Sequence, residues 1–271
     1  MLGRREFIHG WSALALATSL DAQVEIPSEF DTSLESIAVA FKGATGMTLG
    51  YLSQPKSKGP HPGVVLLHDV TGLSNGVRGA ARNVATSGYA VVAPDFLSPQ
   101  GGVASLRGVD ADVRRAVAAT TPAAVSPQAS AALAFVQSHG GSGGRGLALV
   151  GFGWGATQAV LFAAGRTDLA ACVAFSPDLK LVQSALAKTA APVLAIVAGD
   201  DPDGVSASER IGQLTVGGRR PHIAKVFAGT ARGFHDPAET KTYKPDVARQ
   251  AWTAAMAHLD AHAKKAPGSE A

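Results

Sequence analysis

The amino-acid sequence predicts a doubly wound α/β fold, a mostly parallel sheet with helices on both faces. Three observations carry this. Five apolar runs of strand length, at 64–67, 90–93, 147–150, 171–175 and 193–197, lack polar alternation, as strands buried on both faces do. Segments of helical length alternate with them. The 271 residues are 46% apolar and 17% charged, enough for one large α/β domain with a well-filled core.

Taken in order, the chain opens with an address. Gly3-Arg4-Arg5-Glu6-Phe7-Ile8-His9 resembles a twin-arginine export signal, in which paired arginines precede an apolar stretch, here 8–20. That stretch is shorter than the roughly 20 apolar residues a spanning helix needs, so export to the periplasm is expected and a stable membrane span is not. Residues 1–22 are therefore set apart from the fold, with Ala17 and Ala22 as candidate cleavage points. A single domain is expected over 23–265 and a disordered tail over 266–271.

Within the domain, 37–41 and 47–52 flank the turn-forming Gly43-Ala44-Thr45-Gly46 and read as an opening hairpin. Helices are expected at 76–88, 127–139, 155–165, 178–189, 205–216 and 245–264, and a last strand at 223–227. In the final helix Trp252, Met256 and Leu259 recur at helical spacing, which indicates core contact. The loosest pattern lies at 98–126, around Gly101-Gly102 and Pro122, and reads as an excursion near the site. The run Gly140-Gly141-Ser142-Gly143-Gly144 reads as a flexible loop, because the alternation continues across it.

Charge and cysteine exclude several functions. The formal charge of +3 comes from 24 basic and 21 acidic residues with no block of one sign, so no nucleic-acid arm is expected. The lone Cys172 lies in an apolar run and can form no internal disulfide. No metal-ligand cluster surrounds it, and neither metal nor cofactor is expected.

Chemistry on such a sheet gathers beyond the carboxyl ends of its strands. There stand His68-Asp69-Val70-Thr71-Gly72-Leu73 with Arg78, then Pro94-Asp95-Phe96-Leu97, then Gly151-Phe152-Gly153-Trp154-Gly155-Ala156. Gly199-Asp200-Asp201-Pro202 follows the fifth run, and Gly229-Thr230-Ala231-Arg232-Gly233-Phe234-His235-Asp236 the last strand. The first segment, with Gly88-Tyr89 and Ala93-Pro94-Asp95, resembles the opening of dienelactone hydrolases. Gly233-Phe234-His235-Asp236, Tyr243-Lys244-Pro245 and Ala251-Trp252 resemble that family's C-terminal segment. The resemblance covers roughly 37–262. It implies the α/β-hydrolase fold, a small-molecule ester, lactone or related ligand, and a Cys-His-Asp triad with Ser for Cys in some relatives.

In that family a G-x-C/S-x-G elbow lifts the nucleophile on a tight turn, a histidine takes its proton, and an aspartate orients the histidine. Here the resemblance places Gly153 at the nucleophile and Arg232 at the histidine. Glycine cannot form an acyl intermediate, and an arginine that stays protonated cannot act as a general base. Asp201 matches the triad acid, with Asp200 beside it as the other choice. The resemblance also implies that Val70 and Trp154 N–H groups form an oxyanion hole, that His68 and Asp69 shape the pocket, and that Arg78 can face an anionic group. Asp95 is expected to tie down loop backbone.

Other chemistries stay open. His235 could replace the missing base, or water could be activated at His68 or Asp69. Thr157 and Ser176 carry hydroxyls nearby, but neither is expected to occupy a strained elbow. Gly151-x-Gly153-x-x-Ala156 also fits the dinucleotide fingerprint, with Asp178 about 20 residues on as a ribose-binding acid. That fingerprint normally opens its domain, whereas two parallel strands precede it here.

Overall fold

A computed structural model describes residues 27–28, 30–106, 110–139, 146–211 and 222–264. The export segment, the glycine-rich loop and the C-terminal tail expected from the sequence fall outside these residues.

The hairpin forms as expected, β1 (Leu34–Gly43) pairing antiparallel with β2 (Gly46–Pro55). Six further strands follow: β3 (Gly63–Leu67), β4 (Ala90–Pro94), β5 (Leu147–Phe152), β6 (Leu169–Phe175), β7 (Val193–Ala198) and β8 (Ile223–Phe227). The eight-stranded sheet has the order β1-β2-β4-β3-β5-β6-β7-β8, parallel from β4 to β8. This is the α/β-hydrolase fold.

Every residue of β3, β4, β5 and β7 is buried, which is why these runs carry no polar alternation. Neighbouring residues nonetheless serve different cores. Val65 and Leu67 join the layer of α3 (Pro122–His139), α4 (Trp154–Ala163), α5 (Leu179–Leu186) and α6 (Pro202–Ile211). Val64 and Leu66 face α1 (Asn75–Thr86) and α7 (Pro245–His262). Trp252 and Leu259 of α7 are buried in that second core, as their spacing predicts.

Two helices depart from expectation. The segment read as an excursion contains α2 (Asp110–Ala118), whose fully buried side chains are Val113 and Val117, packed on Leu97. Two apolar positions are too few to show a helical period, although Asp110 and Asp112 in its first turn suit the helix dipole. Helix α3 begins at Pro122 and runs through Pro127, five residues before the expected start. Proline at a first turn gives up an N–H that has no helical partner there, so Pro122 can open the helix. Asp95 does tie down the excursion: Oδ1 accepts from Leu97 N at 3.0 Å and Oδ2 from Val103 N at 2.7 Å.

Candidate active site

Strand β5 delivers the chain to the centre of the sheet, and Gly153 turns it into α4 with φ 50° and ψ −112°. That positive φ is the backbone strain of a nucleophile elbow, here held by a residue with no side chain. Gly153 N donates to Phe175 O at 2.8 Å, pinning the turn to the neighbouring strand. The elbow also brings α4 close to β3. A Cβ on Gly155 would lie 2.3 Å from His68 O and 2.4 Å from Leu67 O, so only glycine fits.

The space a nucleophile would fill is taken. A Cβ built on Gly153 would lie 2.4 Å from both carboxylate oxygens of Asp69. Asp69 Oδ1 accepts from Val70 N at 2.7 Å and from Trp154 N at 2.8 Å. The two amides expected to form an oxyanion hole therefore do converge on one point, and the carboxylate of Asp69 sits there. It also satisfies an N–H that opens α4, in the manner of an N-cap.

The histidine position holds a salt bridge instead of a base. Arg232 Nη2 and Nε lie 2.8 and 3.1 Å from Asp201 Oδ2, and Nη1 reaches Ser176 O at 3.3 Å. Asp201 Oδ1 accepts from Gly204 N at 3.1 Å. Of the two adjacent aspartates, Asp201 is thus the one aimed at the histidine position. Its partner is a guanidinium that cannot shuttle a proton.

Above the elbow lies a cavity of about 900 Å³ whose lining includes Asp69, Val70, Gly153, Trp154, Arg232 and His235. The excursion contributes as expected, since residues 118–122 line it too. Two residues read as pocket components do not reach it. His68 is fully buried beneath: Nδ1 meets Asp69 O at 2.8 Å and Nε2 accepts from Phe96 N at 3.2 Å. Both ring nitrogens are committed, and burial holds its pKa below the usual histidine value, so His68 shapes the loop and activates no water. Arg78 is exposed on α1 with its guanidinium 5.7 Å from the Tyr51 ring centre, away from the lining.

His235 does line the cavity, but as a poor base. It stacks on Phe152 at 5.0 Å and lies 4.7 Å from the Phe175 ring, and its Nδ1 has no hydrogen-bond partner. Burial pushes its pKa down to about 3. Asp236, next in the chain, lines the same cavity, and its pKa is raised chiefly by burial and further by the charges of Glu239 and Asp69, against a lowering bond from Ala238 N–H.

Ser176 corrects an expectation. Placed outside any strained turn by the sequence, it has φ 53°, the one positive φ of a non-glycine among the described residues. Its hydroxyl is buried without a partner and its residue lines the cavity. Gln158, hidden inside the apolar α4, does the same and carried no sequence signal. Thr157 is structural, as expected: Oγ1 donates to Gly153 O at 3.3 Å and accepts from Asp178 N at 2.9 Å. Asp178 caps α5 through Lys180 N and Leu181 N, and Asp69 stands where a pyrophosphate would meet α4. The dinucleotide fingerprint thus lacks both of its structural partners. Among the described residues no group of three His, Cys, Asp or Glu could hold a metal ion, and no helix is long and apolar enough to cross a membrane.

Filling the elbow should be costly. Gly153→Ala adds a Cβ at positive φ, about 1 kcal/mol, and an overlap with Asp69 of the kind that costs roughly 1–3 kcal/mol more. Gly165, at φ 77° with nothing within 4 Å, supplies the control. Thermal unfolding should show Gly165→Ala losing only about 1 kcal/mol. Equal losses at both positions would show that Asp69 yields freely.

Comparison with known proteins agrees with this geometry. The model of the dienelactone hydrolase family matches residues 49–263. A curated protein of Methylorubrum extorquens, named provisionally as a carboxymethylenebutenolidase, is 26% identical over 217 residues, spanning 76% of this chain and 74% of that protein. A provisionally named dienelactone hydrolase structure from Klebsiella pneumoniae superposes with a TM-score of 0.73 at 22% identity, covering 83% of this chain and 98% of that one. Dienelactone hydrolase from Anabaena variabilis gives a TM-score of 0.66 at 17% identity, covering 85% and 99%. At such identities the structures speak for the fold alone; the family match, running over most of the sequence, decides membership, and the chain belongs to the dienelactone hydrolase family.

Proposed function

We propose that this chain is an exported binding protein built on the dienelactone hydrolase scaffold, holding a small, largely apolar ligand without hydrolysing it by the nucleophile–histidine–aspartate route. One observation carries the reading: the carboxylate of Asp69 occupies the elbow and takes both oxyanion donors, with no nucleophile at Gly153. A tetrahedral intermediate has neither an attacking atom nor a charge-stabilising site there. The ion pair of Arg232 with Asp201 removes the proton relay as well. What persists is the cavity, about 900 Å³ and walled largely by apolar groups, within the range of small-molecule sites.

Export rests on Gly3-Arg4-Arg5-Glu6-Phe7-Ile8-His9 and the apolar 8–20. A reporter fused after residue 30 should reach the periplasm, and should stay in the cytoplasm when Arg4→Lys and Arg5→Lys are combined.

A second reading is hydrolysis by water activated at Asp69, with no covalent intermediate. It is favoured by Asp236, a second cavity carboxyl whose raised pKa would let it serve as the acid.

Hydrolysis of p-nitrophenyl acetate and labelling by a fluorophosphonate separate these readings. Binding without chemistry predicts no saturable turnover and no labelled serine. Iodoacetamide should spare the folded protein, because Cys172 is fully buried and its thiol is pushed up to about 12. Saturable turnover that copurifies with the protein would overturn the proposal, and its loss in Asp69→Asn would establish the second reading.

A further inference from the structure

Four buried side-chain polar atoms among the described residues lack a hydrogen-bond partner, and three of them belong to residues lining one cavity. They are Gln158 Oε1 on α4, Ser176 Oγ beyond β6, and His235 Nδ1 in the loop before α7. Their residues are 6%, 5% and 8% exposed. An unpaired buried polar group costs about 1–3 kcal/mol, so native folds keep such groups few. Three such groups on separate elements, in residues that all line one cavity, point to a ligand that draws them out by side-chain rotation and supplies the missing bonds.

Ser176 adds a second sign. Its left-handed backbone is clamped at both ends, N donating to Ile196 O at 2.7 Å and O accepting from Arg232 Nη1 at 3.3 Å. Strain of this kind in a non-glycine residue persists where the surroundings over-determine it, and such positions cluster at ligand sites.

Charge decides what the ligand is. Among the described residues the lining holds four carboxylates, Asp69, Asp178, Asp236 and Glu239, against one cation, Arg232. Arg232 is already paired with Asp201, which lies outside the lining. Arg78, the residue suited to an anion, stays on the far side of α1 against Tyr51. An anionic ligand would meet like charge with no free partner. These carboxylates are partly engaged already, and Glu239 lies 3.9 Å from Arg114. Asp69 Oδ1 is taken by two N–H groups, Asp178 Oδ1 by two, and Asp236 Oδ1 by Ala238 N. The groups left wanting are an amide oxygen, a hydroxyl and an imidazole that burial keeps uncharged near neutral pH.

We infer that the cavity selects an uncharged, hydroxyl-bearing hydrophobic molecule, with Gln158, Ser176 and His235 as its polar contacts and Phe152, Trp154 and Trp252 among its walls. A hydroxyl both donates and accepts, which the three groups together require. The inference rests on the binding reading above and names its ligand class.

Calorimetric titration of the purified protein with naphthalene probes of one skeleton tests it. 2-Naphthylmethanol should bind about ten-fold or more tighter than 2-naphthoate, 2-naphthylmethylammonium or 2-methylnaphthalene, the scale set by one or more hydrogen bonds. Ser176→Ala and Gln158→Leu should each weaken the alcohol roughly five-fold and should not weaken 2-methylnaphthalene to the same extent, as loss of a single polar contact would. No binding of the alcohol, equal binding of all four probes, or an alcohol preference that survives both substitutions would overturn it. A preference for the naphthoate or the ammonium would overturn the selectivity and leave the binding reading standing. Ester turnover with the alcohol preference intact would do the reverse.

Discussion

Acidification from pH 7 to 4.5 is expected to cost the folded protein about 5 kcal/mol, a large share of a typical domain's stability. The cause is buried histidines: His235 and His258 account for this figure, and burial lowers His68 and His222 as well, which adds to the loss. Burial lowers His235 to about 3. His258 falls to about 4, chiefly through burial, with the charges of His262 and His222 adding to the effect and a bond to Pro192 O opposing it. Both stay neutral when folded while their unfolded counterparts take up protons below about 6.5. Between these values the unfolded state binds more protons, so stability rises with pH and is lost as pH falls through 6.5 toward 4 and 3. Each pH unit in that window costs about 1.4 kcal/mol per histidine, and pH 4.5 lies two units into it for both. The raised pKa of Asp236 acts in the opposite sense, since the folded state holds that proton more readily. Urea unfolding at pH 7, 6, 5 and 4.5 reads the loss directly. His235→Phe isolates one contributor. Its ring can keep the stacks on Phe152 and Phe175, and Nδ1 has no bond to lose. The variant should therefore remove about 2.5 kcal/mol of the loss at pH 4.5 while changing little at pH 7. A profile flat from pH 7 to 4.5, or one unchanged in His235→Phe, would contradict the assignment.

How much of this was legible beforehand depends on which physical signal each residue sends. The parallel strands were legible because burial on both faces leaves an unbroken apolar run, and β3 to β7 are such runs. The elbow was legible because its turn needs glycines at fixed spacing, and Gly151 and Gly155 supply them. Helix α2 was not, since Val113 and Val117 alone cannot display a period. At the site, the types of residue at 153 and 232 could be read, but not what fills the gaps they leave. The seat of Asp69 in the oxyanion hole depends on how β3 and α4 approach, and the pairing of Arg232 with Asp201 spans 31 positions of sequence. Arg78 shows the converse error. Its position along α1 is right for facing a ligand, and its rotation about the helix is not. Strain at Ser176 is invisible in Phe175-Ser176-Pro177, because it is imposed by Ile196 and Arg232 from other elements.

Hydrolytic activity should return only when three positions change together. Gly153→Cys supplies a nucleophile, and Arg232→His restores a base beside Asp201, which already points at that position. The pair alone is expected to remain nearly inactive. A Cβ at 153 lies 2.4 Å from both oxygens of Asp69, so the new thiol and the carboxylate compete for one space. The carboxylate also keeps Val70 N–H and Trp154 N–H, the donors a tetrahedral oxyanion would need. Removing one oxyanion donor costs roughly 10²–10³ in rate in a working enzyme, and here both are engaged. Adding Asp69→Ala vacates the space and frees both amides. The triple variant should then hydrolyse p-nitrophenyl acetate at least about a hundred-fold faster than the double. Its thiolate attacks the carbonyl, and the oxyanion collapses to an acyl-thioester with loss of p-nitrophenolate. Water, deprotonated by the introduced imidazole, then releases acetate. A burst of p-nitrophenol matching the enzyme concentration would report that acyl intermediate. Asp69→Asn in the same background separates charge from occupancy. Its amide oxygen has the same shape and can still accept from both N–H groups, so this variant should stay close to the double. If the double variant proves as active as the triple, Asp69 swings clear without cost and cannot be what closes the site. If Asp69→Asn restores as much activity as Asp69→Ala, the obstruction is the negative charge facing the developing oxyanion rather than the filled space. The carboxylate at the elbow is thus open to measurement as either a steric or an electrostatic block, and the two substitutions at one residue tell which.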